Sequence, residues 1–192
     1  MKMALMSGCV TRKVGPLELV CTEASRGEHW WVMNLLLDHG ANVNEPSRDG
    51  ETSLATICRN TCERPLWVRL FLVQRLVQRG ADVDGRDSRG QTPIMITYKD
   101  QKHTQGDRFC IIERLLELGA NVLAKDTSGN SFMDLICATG SLGEDERVEL
   151  LSLLLRYHPN KAVEKIHGII DQLPLHKPAG DRTDRRQRRQ LY

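Results

Sequence analysis

The sequence predicts an all-α solenoid of stacked helix–turn–helix units, and three observations predict it. Gly-Ala pairs at Gly40-Ala41, Gly80-Ala81 and Gly119-Ala120 stand 40 and 39 residues apart, a period that marks stacked supersecondary units. Each pair closes a leucine-rich segment of helical apolar spacing, "VMNLLLDHG", "FLVQRLVQRG" and "IIERLLELG", ending where Gly can take a left-handed conformation. Each pair also opens a polar turn, "GANVNEPSRDGETSLA", "GADVDGRDSRGQTPIM" and "GANVLAKDTSGNSFMD", rich in the residues that favour turns. A unit of this kind cannot bury both helices alone, so it must stack on its neighbours.

Taken in order, each unit has a short apolar helix, a polar interruption, a longer apolar helix, the Gly-Ala pair and the extended turn. The short helix opens at Gly15, Thr52, Thr92 and Ser131. Cys21, Cys58 and Cys137 follow six residues after three of those openings, and Tyr98 takes that place in the other. Cys behaves there as a small hydrophobe between layers. The interruptions are "NTCERPLW", "DQKHTQGD" and "GSLGEDER", where Pro65, Gly106, Gly140 and Gly143 favour loops over helix extension. The fourth long segment, "LLSLLLRYH", reaches His158-Pro159 in place of Gly-Ala, so that unit ends differently. His39, one residue before Gly40, suits a helix C-terminus as a cap.

These boundaries divide the chain into a lead at 1–14, four repeats at 15–158, a capping helix or degenerate fifth repeat at 159–173, and a basic tail at 174–192. The capping segment "AVEKIHGIIDQL" places Ile166, Ile169, Ile170 and Leu173 at helical spacing. From Pro174 the chain carries Lys177, Arg182, Arg185, Arg186, Arg188 and Arg189 against Asp181 and Asp184, the composition of a disordered segment. A short basic run can serve nuclear import or nucleic acid, but no aromatics interleave to stack bases.

Composition excludes several classes. With 192 residues, 40% hydrophobic and 27% charged, the chain is that of a folded protein. Its apolar runs fall short of the roughly 20 residues of a membrane span, and "MKMALMSGCV" has no convincing signal cleavage site. We therefore expect a cytoplasmic location, with nuclear entry open through the tail. Six cysteines lack paired metal-ligand spacing, and Cys62 and Cys9 alone look free enough to react. Scattered histidines, no phosphate-binding loop and no dinucleotide fingerprint argue against an enzyme. No cofactor, metal or small-molecule substrate is expected.

At "GETSLA", "GQTPIM", "GANVN", "GADVD" and "GANVL" the chain resembles the ankyrin repeat family, and the resemblance covers Gly15 to His158. It departs in length, since most units are longer than the common form of about 33 residues. The family's helix-one His is replaced by Glu18, Ala55, Met95 and Asp134, so the hydrogen bonding it supplies is expected to be absent. The extra length falls between helix one and helix two, as long inter-helix loops, while the resemblance implies short β-hairpin-like turns and recognition of a protein partner of unknown identity through the turn tips and the exposed side of helix one. Carried onto this sequence, that face comprises Arg48, Asp49 and Glu51, then Ser88, Arg89 and Gln91, then Thr127, Ser128 and Asn130. Arg59 and Asn60, with Lys99 and Asp100, extend it. Alternatives on the same surface are an accessory arm or fragment of a larger enzyme or ubiquitin-ligase adaptor, and a short inhibitor imitating a regulatory ankyrin protein. "LPLHKP" near the C-terminus has no recognisable ligase-recruiting box.

Overall fold

The computed structural model describes residues 16–23, 30–47, 50–59, 65–100, 102, 104–138 and 143–158. The expected lead, capping helix and basic tail lie outside those residues, as do Cys9 and Cys62. The chain divides into two compact units, Met1–Gly143 and Glu144–Tyr192.

In the first unit the described helices are α1 (Pro16–Glu23), α2 (Trp30–Asp38), α3 (Ser53–Cys58), α4 (Leu66–Gln78), α5 (Pro93–Lys99), α6 (Gln105–Glu117) and α7 (Phe132–Cys137). The short helices form one layer, with α1 beside α3, α3 beside α5 and α5 beside α7. The long helices back them: α2 packs on α1, α4 on α3, α6 on α5, and α4 on α6. The second unit contains α8 (Glu144–Tyr157), closed by the His158 N–H donating to the Leu154 carbonyl at 2.9 Å rather than by a left-handed glycine. Among the described residues there is no strand. One antiparallel bridge, Lys125 with Ser131, is all that the third turn shows of a hairpin. No described helix is long and apolar enough to cross a membrane.

The short helices begin where the sequence placed them. Thr52 Oγ1 accepts the Ala55 N–H at 3.2 Å, satisfying one of the donors that a helix start leaves open. Before α5 the Thr92 side chain makes no cap bond, and Pro93 stands at the first helical position instead, its φ preset for a helix. Before α7 the cap is reciprocal. Ser131 Oγ accepts the Asp134 N–H at 3.2 Å while Asp134 Oδ2 accepts the Ser131 N–H at 2.8 Å, a capping box. The expected loss of side-chain hydrogen bonding with the family His therefore does not hold at Asp134, whose carboxylate secures that turn.

The long helices end as their Gly-Ala pairs foretell. Gly40, Gly80 and Gly119 have φ of 84°, 90° and 90°. The following Ala41, Ala81 and Ala120 N–H groups reach back to Leu36, Leu76 and Leu115 at 2.9, 3.0 and 3.0 Å, so each terminus closes on its own carbonyls. His39 Nδ1 lies 2.8 Å from the Leu35 carbonyl, the expected cap. At the other end, two expectations fail. Gly106 lies in the first turn of α6, which starts behind the Thr104 cap, and α4 takes in Leu66 and Trp67, so the interruptions are shorter than composition suggests.

The core runs along the layer of short helices. All six residues of α3 are buried, as are Pro93 to Tyr98 of α5, the all-round burial that short apolar helices between layers require. Cys21 and Cys58 are buried, while Cys137 is half-buried with its thiol 2.7 Å from the Met133 carbonyl. Burial pushes the Cys58 thiol up to about 11, against the lowering effect of a hydrogen bond with Thr97 and of the Arg69 charge. The exposed described thiol is Cys110 on α6, which corrects the expectation that Cys9 and Cys62 alone would be accessible. Where Tyr98 replaces Cys, its hydroxyl donates to the Leu135 carbonyl at 3.0 Å and its ring meets Phe132 edge-on at 5.6 Å. Arg69, only 1% exposed, points from α4 to the end of α3 and donates to the Ile57 and Cys58 carbonyls, each at 3.2 Å. It closes a helix end that apolar packing alone would leave unsatisfied.

Candidate protein-binding face at the turn tips

Each turn tip is folded by one polar residue at a fixed offset before a glycine. Ser47, Asp87 and Asp126 each give their N–H to the residue four ahead, Glu51, Gln91 and Asn130, at 2.8, 3.1 and 2.9 Å. Gly50, Gly90 and Gly129 close the same turns with φ of 75°, 69° and 82°. At the second tip Asp87 Oδ1 accepts from the Arg89 and Gln91 N–H groups at 2.9 and 2.8 Å. Asp126 Oδ1 repeats this with Ser128 and Asn130, both at 3.0 Å. These are Asx turns, in which a short carboxylate replaces a ladder partner.

Neighbouring tips touch through backbone. A Cβ added to Gly90 would stand 2.9 Å from the Thr127 nitrogen, so glycine serves both the positive φ and the close approach. The Thr127 N–H and hydroxyl both donate to the Arg89 carbonyl, at 3.1 and 2.9 Å. Arg86 donates across to the Lys125 carbonyl.

Side chains from the preceding short helix reach the same aspartates. Arg59, at the end of α3, lies 2.7 Å from Glu51 and 3.2 Å from Asp87. Lys99, the last residue of α5, lies 3.3 Å from Asp126. The Asp126 carboxyl is held below its ordinary range mainly by the Asn130 N–H, with Lys99 and Ser128 adding to that and burial opposing it.

Ser88, Arg89, Thr127, Ser128 and Asn130 are exposed on the second and third tips. Gln91 is buried, its N–H committed to Asp87. Glu51 is half-buried, and Asp100 Oδ1 accepts the Lys102 N–H at 2.9 Å. Arg48, Asp49 and Asn60 lie outside the described residues. Five of the nominated residues, Arg59, Arg89, Gln91, Lys99 and Asp100, line one cavity of about 290 Å³ together with Ile96 and Lys102. Sequence reasoning missed Lys102, which sits in an interruption with no repeat partner. It also missed the tip aspartates, although Asp87 and Asp126 stand 39 residues apart and three before a glycine.

The stretch that follows each Gly-Ala pair is stitched differently. Asn42, Asp82 and Asn121 accept the N–H two residues on, from Asn44, Asp84 and Leu123, at 3.0, 2.9 and 3.0 Å. Asn44 then reaches the next repeat, accepting the Asp82 N–H at 2.7 Å and donating to the Gly80 carbonyl at 2.9 Å. Asp84 accepts the Asn121 N–H at 2.8 Å. Leu123 occupies the place of Asn44 and Asp84 and has no acceptor to offer in turn.

No family model matches the chain. It is similar to the human "Ankyrin repeat and SOCS box protein 6", 33% identical over 113 residues that make up 59% of this chain and 25% of the relative. The protein of the same name from Pongo abelii is 32% identical over the same shares. The chain thus matches about a quarter of the length of these relatives. The capped short helices, glycine-closed long helices and tip turns recurring in register, with these relatives beside them, support an all-α, ankyrin-like repeat fold.

Proposed function

We infer that this array binds a protein partner through the concave face formed by its turn tips and the exposed ends of its short helices. The observation that carries the reading is the convergence of Arg59, Arg89, Lys99 and Asp100 on one cavity beside the exposed tips. Interfaces concentrate their energy in few residues, and Arg is enriched among them. Arg89 leads because it is exposed and its side chain makes no bond among the described residues.

Affinity capture from cell extract, followed by mass spectrometry, tests the reading with the R48E/R89E double variant as the control. A partner retained by the natural chain and lost by the double variant supports it. Equal retention by both, with loss on deletion from Pro174 onward, would move recognition to the tail.

A second reading is favoured by the relatives' names, which carry a SOCS box beside the ankyrin repeats, and by the small share of their length that the chain matches. On that reading the array is the partner-receiving arm of a larger adaptor, and the native transcript's length decides it.

A further inference from the structure

We propose that the cavity between the end of α5 and the second tip takes one carboxylate side chain, Asp or Glu, from an extended segment of the partner. This rests on the reading of the tips as a protein-binding face.

Four cations line the cavity, Arg59, Arg89, Lys99 and Lys102. Two are already engaged: Arg59 by Glu51 and Asp87, and Lys99 by Asp126. Arg89 and Lys102 are exposed and carry no ion pair among the described residues. An unengaged Arg beside an unengaged Lys offers a planar fork and a point charge to one incoming carboxylate. The volume, about 290 Å³, sits at the small end of ligand clefts and suits a side chain.

The surrounding acids decide against a polyanion. Glu51, Asp87, Asp100 and Asp126 equal the four cations in number, so the positive charge is confined to the spot between Arg89 and Lys102 and does not extend as the field that draws a phosphate backbone. Asp100 in the wall opposes a second negative charge on the ligand. A lone carboxylate is matched by the two unengaged cations.

The probe is a randomised peptide library displayed on phage and panned on the full chain, with selected sequences remade as synthetic peptides. Fluorescence anisotropy then compares the natural chain with R89E/K102E and R89Q/K102Q. Neither side chain bonds among the described residues, so both variants are expected to keep the far-UV helical signal, and the Gln pair serves if charge reversal disturbs it. The expected result is one fixed acidic position whose replacement by Ala weakens binding about tenfold or more, the penalty of unpairing a partly buried charge. Both variants should weaken the peptides, the Glu pair more, and Lys at the acidic position should restore binding to R89E/K102E.

Peptides with no fixed acid, indifferent to R89E/K102E yet lost on S128R/N130R, would overturn the carboxylate site and leave the binding face standing. Peptides indifferent to every tip variant, or no enriched peptide, would overturn both. Binding of a single-stranded oligonucleotide that is lost in R89E/K102E and falls steeply with salt would replace the carboxylate with phosphate. So would tighter binding of a peptide carrying phosphoserine at the selected position.

Discussion

Asn44 and Asp84, just after the Gly-Ala pairs, and Asp87 and Asp126, at the turn tips, are the same kind of residue put to different uses. After the Gly-Ala pair the side chain reaches across, and Asn44 and Asp84 take backbone N–H groups of the next repeat. At the tip the side chain folds its own loop and receives a cation from the repeat before it. The first arrangement leaves no side chain over for anything else. The second buries its aspartates and holds the residues between them, Ser88 and Arg89 or Thr127 and Ser128, in solvent. The lesson is that polarity alone does not mark a recognition surface, because polar turn residues such as Asn44 and Asp84 are spent on stacking.

The comparison is broken most severely through the core that both sets of residues rest on. Leu115 is fully buried on α6, and Leu115→Ala should cost about 2 to 5 kcal/mol, read as a lower denaturant midpoint. An unchanged midpoint would reject the repeat register itself.

Next in size is a test of the two kinds of glycine. Gly90→Ala combines a positive φ with a Cβ 2.9 Å from the Thr127 nitrogen, and should cost about 2 to 3 kcal/mol. Gly80→Ala shares the positive φ but meets nothing within 4 Å, and should cost about 1 kcal/mol. Equal losses would show that the tips do not touch.

Smaller still, Asn44→Ala removes two exposed bonds to the next repeat and should lower stability by about 1 kcal/mol. Hydrogen exchange at Asp82 N–H should speed up with it, while the tip amides keep their protection.

The smallest effect belongs to Asp126→Asn, at most about 1 kcal/mol. Because the folded carboxyl sits below its ordinary value of 3.8, its contribution is present in full above that pH and disappears as pH falls through the folded value. The difference in midpoint between natural and variant chains should therefore be constant near neutrality and shrink in acid. A difference that grew on acidification would remove the assigned role. A thiol experiment needs no stability change at all: maleimide should label Cys110 in the native chain and reach Cys58, buried and raised to about 11, only on unfolding.

Much of the fold was legible because the features that build it recur at the repeat period. Gly40, Gly80 and Gly119 announced the long-helix ends, and Thr52, Thr92 and Ser131 the short-helix starts, since caps and left-handed glycines are local needs written in local sequence. The ion pairs were not legible. Arg59 meets Asp87 over 28 residues and Lys99 meets Asp126 over 27, separations set by stacking and unlike the period of 39 to 40. Hence both cations read only as extensions of the binding face, although each is already paired with an aspartate. Gly106 misled for the opposite reason, because a first helical turn behind a good cap tolerates glycine at modest cost. Cys110 stands outside the recurrence that places Cys21 and Cys58 between layers, so that recurrence carried no signal of its exposure on α6.

The Thr127–Arg89 contact has a consequence for how such a stack can change over generations. Arg89 grips its neighbour by its carbonyl oxygen, an atom that every amino acid supplies in the same place. A codon change at that position alters what the surface presents and leaves the joint between repeats as it was. Asp87, two residues earlier, has no such liberty, because its side chain folds the turn and receives Arg59. Selection can therefore explore new recognition at one site while its near neighbour stays fixed, with fold and specificity inherited separately within a single turn.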